Sequence, residues 1–134
     1  MKKNLLLLCL VMICTTITLA LQVADTSQFF TIERAAYPKG QGPRVWVDAA
    51  HNNFHTVEGR YAAFGNVLKA DGYQVADQQE MITAEVLSNC EVYVIANPLH
   101  ESNRQNWTNP CPSAFTTAEI EALRHWVEAG GSLF

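Results

Sequence analysis

The chain has 134 residues, 49% hydrophobic and 16% charged, with a net charge of −4, enough for one small domain. Without its first twenty residues it carries seven basic against thirteen acidic side chains, a net of −6, and no basic cluster. That balance argues against a phosphate-backbone footprint and so against a nucleic-acid partner. The sequence shows no internal repeat and no low-complexity tract.

Met1-Lys2-Lys3 is a positive start, and Leu5 to Cys14 is an unbroken apolar run that continues through threonines to Ala20. The run is too short to span about 30 Å of hydrocarbon. Residues 1–20 are therefore expected to be an export signal, with cleavage after Ala20 and a secreted or periplasmic destination. The membrane is a partner only through an uncleaved leader. Export means an oxidising compartment, in which Cys90 and Cys111 could pair. Pairing would need the loop bearing Cys111 to fold back along a strand of about 20 Å to reach Cys90. Otherwise Cys90 is a buried apolar residue.

Residues 21–43 show no sustained period and end in the turn-rich Pro38-Lys39-Gly40-Gln41-Gly42-Pro43; the domain is expected over residues 44–134. Arg44–Asp48 reads as a short buried strand. Glu58–Ala70 reads as a helix with Tyr61, Phe64, Val67 and Leu68 on one stripe, stopped by Gly72. Tyr73–Ala76 is a second strand, Ala84–Ser88 a short helix capped by Thr83, and Glu91–Ala96 a third strand. Twenty mostly polar residues follow, Asn97–Thr116, longer than a plain connection in a compact domain. Thr116-Thr117-Ala118-Glu119 is a capping box for a helix with Ile120, Leu123, Trp126 and Val127 expected on its inner face. Gly130-Gly131 stops it, and Ser132–Phe134 begins a fourth strand. Strands alternating with helices imply right-handed crossovers and a parallel sheet with helices on both faces. The fourth strand is expected to be incomplete, and the chain to be the N-terminal part of a longer α/β domain, marginally stable or inactive alone.

In such sheets ligands bind beyond the carboxyl ends of the strands. Two polar clusters fall there, Asp48–Thr56 after strand one and Asn97–Arg104 after strand three. If those strands are neighbours, the clusters share a crevice. His51, His55 and Asp48 are then the candidates for acid–base chemistry, with a His as general base and Asp48 or Glu101 orienting it. Asn52, Asn53, His100 and Glu101 are candidates for holding a ligand. His51 and His55, four residues apart, are also candidate ligands for a divalent metal, with Asp48, His100 or Glu101 completing the set. The spacing lacks the Glu of the HExxH helix. A third reading has His51, Asn52 and Asn53 bonding their own loop and His55-Thr56 helping to cap the first helix. No glycine-rich phosphate cradle is present. Trp107 is either part of an aromatic wall for a sugar or peptide or a cover on the crevice edge.

The stretch Val45–Phe134, about two thirds of the chain, resembles a family of exported bacterial proteins of unknown function with a class I glutamine amidotransferase-like fold. The resemblance rests on DAAHNNFHTVEGRYAAFGNVLKADGYQV (Asp48–Val75) and FTTAEIEALRHWVEAGGSLF (Phe115–Phe134). It implies a three-layer, flavodoxin-like parallel sheet, with the second segment leading toward the superfamily's nucleophile region. In true amidotransferases a Cys follows the strand that here begins at Ser132, on a strained turn. No such position lies within this chain, and Cys90 enters a strand without flanking glycines. A working glutamine amidotransferase is therefore not expected. What is expected is an exported domain that binds a small molecule, glycan or peptide, or hydrolyses one. The alternative is a catalytically inert scaffold or interaction domain of the cell envelope.

Overall fold

The computed structural model describes residues 23–25, 27 and 30–134; the expected leader lies outside them. Among the described residues no helix is long and apolar enough to cross a membrane. Four parallel strands form one sheet in the order β2-β1-β3-β4, from β1 (Arg44–Asp48), β2 (Gln74–Gln78), β3 (Val92–Val94) and β4 (Ser132–Leu133). Three α-helices connect them: α1 (Ala62–Ala70), α2 (Ala84–Leu87) and α3 (Thr117–Glu128). The order reverses between β1 and β3, as in a flavodoxin-like layout, and places the first and third strands side by side.

The period of two divides the core. Val45 and Val47 of β1, with Val94 of β3, pack with Val57 and Val75 against Phe64 and Leu68 of α1. Tyr93 faces the other way, with Ile82, Val86, Leu87, Cys90 and Leu123, and with Trp46, Ala122 and Trp126 at the margin. Helices therefore cover both faces, α1 on one and α2 and α3 on the other. Leu87 and Tyr93 are fully buried, and each such side chain contributes about 1.5–3 kcal/mol of transfer free energy.

Several boundaries differ from the sequence expectation. The first helix starts at Ala62 rather than Glu58, because Asp77 of β2 accepts the amides of Val57 (2.6 Å) and Glu58 (2.9 Å) and holds that stretch as turns. β2 runs to Gln78, two residues past the expected end, because all five of its residues pair with β1. β3 is shorter than expected, ending at Val94. In α3 the inner face is Glu119, Ala122, Leu123 and Trp126, while Ile120 and Val127 are exposed. The apolar stripe is rotated toward Glu119, for reasons the site makes plain. Cys90 is buried and Cys111 exposed, and both are free thiols.

The segment before β1 docks on the α1–β2 turn. Tyr37 N donates to Asp71 O, Ala36 N to the Asp71 carboxylate and Gly42 N to Gly72 O, while the Tyr37 ring meets Tyr73 edge-on. Gly72 makes this approach feasible: its φ is +96°, and a Cβ there would lie 2.3 Å from the Tyr37 carbonyl oxygen. Gly40 also has positive φ, but open space around it. Gly72→Ala should cost about 1–3 kcal/mol in backbone strain and detach the docked segment as well. Gly40→Ala should cost only strain. Urea midpoints of the two variants check this, and equal shifts would contradict the docking role.

Candidate functional site

β1 ends at Asp48, whose side chain points to the α2/α3 side of the sheet and is completely buried. Two turns of local chemistry shape the loop that follows. Asn52 takes a positive φ of 50°, a conformation that asparagine tolerates better than most residues. Asn53 donates from its side-chain amide to Asp48 O (2.8 Å) and accepts from His55 N (2.8 Å). These bonds turn the His51 ring inward.

His51 is 3% exposed and lies between two buried carboxylates. Its Nδ1 is 2.8 Å from Asp48 Oδ1, and its Nε2 is 3.0 Å from Glu119 Oε1. Its ring packs on Phe115, with centroids 4.5 Å apart. The Tyr93 hydroxyl donates to Asp48 Oδ1 at 3.4 Å, while Asp48 Oδ2, equally buried, meets no hydrogen-bond donor among the described residues. Burial first, then the neighbouring Asp48 carboxylate, pushes the Tyr93 hydroxyl far above its ordinary range, so it remains a neutral donor.

Glu119, 3% exposed, is the hub. One oxygen completes the capping box of α3, accepting from Thr116 N and Thr116 Oγ1, both at 2.8 Å. The other accepts from Ile82 N (3.1 Å) and faces His51. Burial alone would raise this carboxyl. The hydrogen bonds from Thr116, Ile82 and His51 outweigh it and hold the group below its ordinary 4.5.

Above the array opens a cavity of about 420 Å³ lined by Ala50–Asn52, Met81, Leu99–Glu101 and Ser113–Thr116. It sits beyond the carboxyl ends of the strands at the reversal of strand order. Leu99 N donates to His51 O (2.8 Å) and Asn52 Nδ2 to Leu99 O (3.1 Å), which joins the two polar clusters as their positions in sequence suggested. Larger hollows of about 580 and 480 Å³ lie beside Arg44 and Glu91 and beside Trp46 and α2, and neither is lined by any member of the array.

The expected site residues divide. Asp48 and His51 form the buried array, and Asn52, His100 and Glu101 line the cavity. His100 caps the 3-10 turn Glu101–Asn103, its Nδ1 accepting from Ser102 N and lying 2.8 Å from Ser102 Oγ. Glu101 is exposed, 3.8 Å from Arg104. Asn53 is spent on the loop. His55 turns away, its Nδ1 3.3 Å from Asn97 Nδ2 and its ring edge-on to Tyr61. The two histidines that were candidate metal ligands thus have different partners. Among the described residues no group of three His, Cys, Asp or Glu side chains is placed to hold a metal ion. Trp107 is exposed at the surface.

Glu119 and Tyr93 were not expected at the site. For Glu119 the signal was present, since Glu119, Ala122, Leu123 and Trp126 fall at i, i+3, i+4 and i+7, putting a carboxylate on the apolar stripe. No family model, curated protein or solved structure matches this chain.

Proposed function

We propose that the chain is an exported α/β domain that binds a small polar ligand in the crevice at the carboxyl edge of its sheet. The observation that carries this reading is the 420 Å³ cavity at the reversal of strand order, its walls joined by hydrogen bonds and its floor made by His51. Its size and its mix of apolar Met81, Leu99 and Phe115 with polar Asn52, His100 and Glu101 are those of small-molecule sites. Binding is favoured over hydrolysis by His51, because both ring nitrogens face buried carboxylates rather than the cavity. The apolar start of the chain supports export. The strand order, together with the segments Asp48–Val75 and Phe115–Phe134, supports a class I amidotransferase-like winding without that family's chemistry.

The test is an amide NMR spectrum of the full chain titrated with amino sugars, monosaccharides, amino acids and short peptides. Shifts confined to residues 50–52, 81, 99–101 and 113–116 are expected for at least one of these classes. Leu99→Trp, which fills the cavity, should weaken that binder at least tenfold, a loss of about 1.4 kcal/mol. A panel that moves none of these amides would turn the reading to a scaffold domain.

A further inference from the structure

One carboxylate ties the crevice together. Glu119 Oε1 joins the loop after β1 through His51 and the loop after β2 through Ile82 N, while Oε2 holds the start of α3 through Thr116. The loop after β3 is fastened to the same unit by Leu99 N to His51 O. All four wall segments of the cavity therefore meet at, or one bond from, the buried array.

We propose that Asp48, His51 and Glu119 form a proton-operated latch that closes the crevice while two protons are shared among them and frees the α3 wall when one is lost. The inference rests on reading the crevice as a ligand site, whose regulation it describes. Each ring nitrogen faces a carboxylate oxygen, at 2.8 and 3.0 Å. A nitrogen without a proton would turn a lone pair toward an anion, so both contacts persist only with a proton in each. The closed array thus holds two protons on three groups and one net negative charge. When base removes one proton, the buried site carries a second negative charge and one contact becomes repulsive.

The contact to Glu119 is the one that yields. Asp48 is fixed in β1 beneath the Tyr93 hydroxyl, whereas Glu119 rides on the first turn of α3, next to the exposed stretch Cys111–Ser113. The cap to Thr116 is internal to that turn and moves with it. Other titratable groups lie nearby. Tyr93 stays neutral, and burial pushes the Cys90 thiol behind it up to about 11. His100 and Glu101, on the loop after β3, are engaged by Ser102 and Arg104. The loop after β2 presents only the Ile82 amide to the carboxylate.

The experiment is NMR of the unliganded full chain with labelled histidine rings, from roughly pH 5 to 10. With the crevice closed, both contacts of His51 should show a proton. As the pH rises the ring and the amides of Ile82, Leu99 and Thr116 should shift together with one midpoint. A ring that titrates while those amides stay still overturns the latch. Glu119→Gln replaces the anion with an amide that can accept from a protonated Nε2 or turn to donate to a bare one, so the step in the wall amides should vanish; a step that persists also overturns it. These readouts need no ligand, so a failed latch leaves the binding reading standing. A panel without binders sinks that reading, while the amides still report on the latch. Where a binder is found, its affinity should fall at least tenfold above the step, and a pH-independent affinity would refute the regulation.

Discussion

His51→Ala should destabilise the protein by about 3–5 kcal/mol, the cost of removing one partner from a buried charge cluster. The wild-type ring stands between two carboxylates that are almost completely shielded from water. Its loss leaves two buried carboxylates without the ring they share, and Asp48 Oδ2 already has no donor among the described residues. Against the 5–15 kcal/mol that holds a typical domain, this is a large fraction and enough to unfold a marginal one. His100→Ala is the control. That ring only caps a short 3-10 turn, and its loss should cost about 0.5–1 kcal/mol. Urea midpoints separate the two. The double variant His51→Ala/Glu119→Gln should be less costly than the sum of its parts by roughly 1–3 kcal/mol, because the second change removes a charge the first one stranded. Strict additivity would mean that the array is three separate contacts and not a coupled unit.

Much of this architecture was legible from residue types. The alternation of short apolar runs with capped, glycine-stopped helices gave the parallel sheet, and the Thr116–Glu119 box marked the start of α3 correctly. The two polar clusters were expected to share a crevice if the first and third strands were neighbours, and β1 and β3 are neighbours. What sequence could not supply was direction. Glu119 was read as a capping residue, and a local motif says nothing about where a second carboxylate oxygen points. Its burial turns α3 so that Ile120 and Val127, apolar by type, face outward. Tyr93, set between two valines, looked like one more apolar strand residue until the period of two sent its hydroxyl to Asp48. His51 and His55 looked alike in sequence, but the Asn53 turn between them sends one ring inward and the other toward Asn97.

Glu119→Ala should be the most damaging change in α3, and its effect should be tied to acid pH. The substitution removes the acceptor for Thr116 N, Thr116 Oγ1 and Ile82 N and leaves His51 bonded only to Asp48. Thr116→Ala, which loses the cap alone, should cost about 1 kcal/mol. Glu119→Ala should cost at least about 3 kcal/mol, since a buried charge contact and a buried backbone amide go with the cap. Glu119→Gln should fall between, because its carbonyl can still receive Ile82 N while its amide group turns a donor toward Thr116 N. The pH dependence follows from the same bonds. Held below its ordinary 4.5 in the folded chain, Glu119 binds protons less readily there than when unfolded. Its contribution is therefore complete above that value and lost as the pH falls through the lower, folded one. Wild-type urea midpoints should decline as the solution is acidified below about pH 4.5, and Glu119→Gln should flatten that decline by its share. An unchanged acid limb in Glu119→Gln would mean that the carboxylate is not the proton acceptor that ties α3 to the sheet. The geometry, with three hydrogen bonds to one buried group and a histidine at its open side, requires that it be.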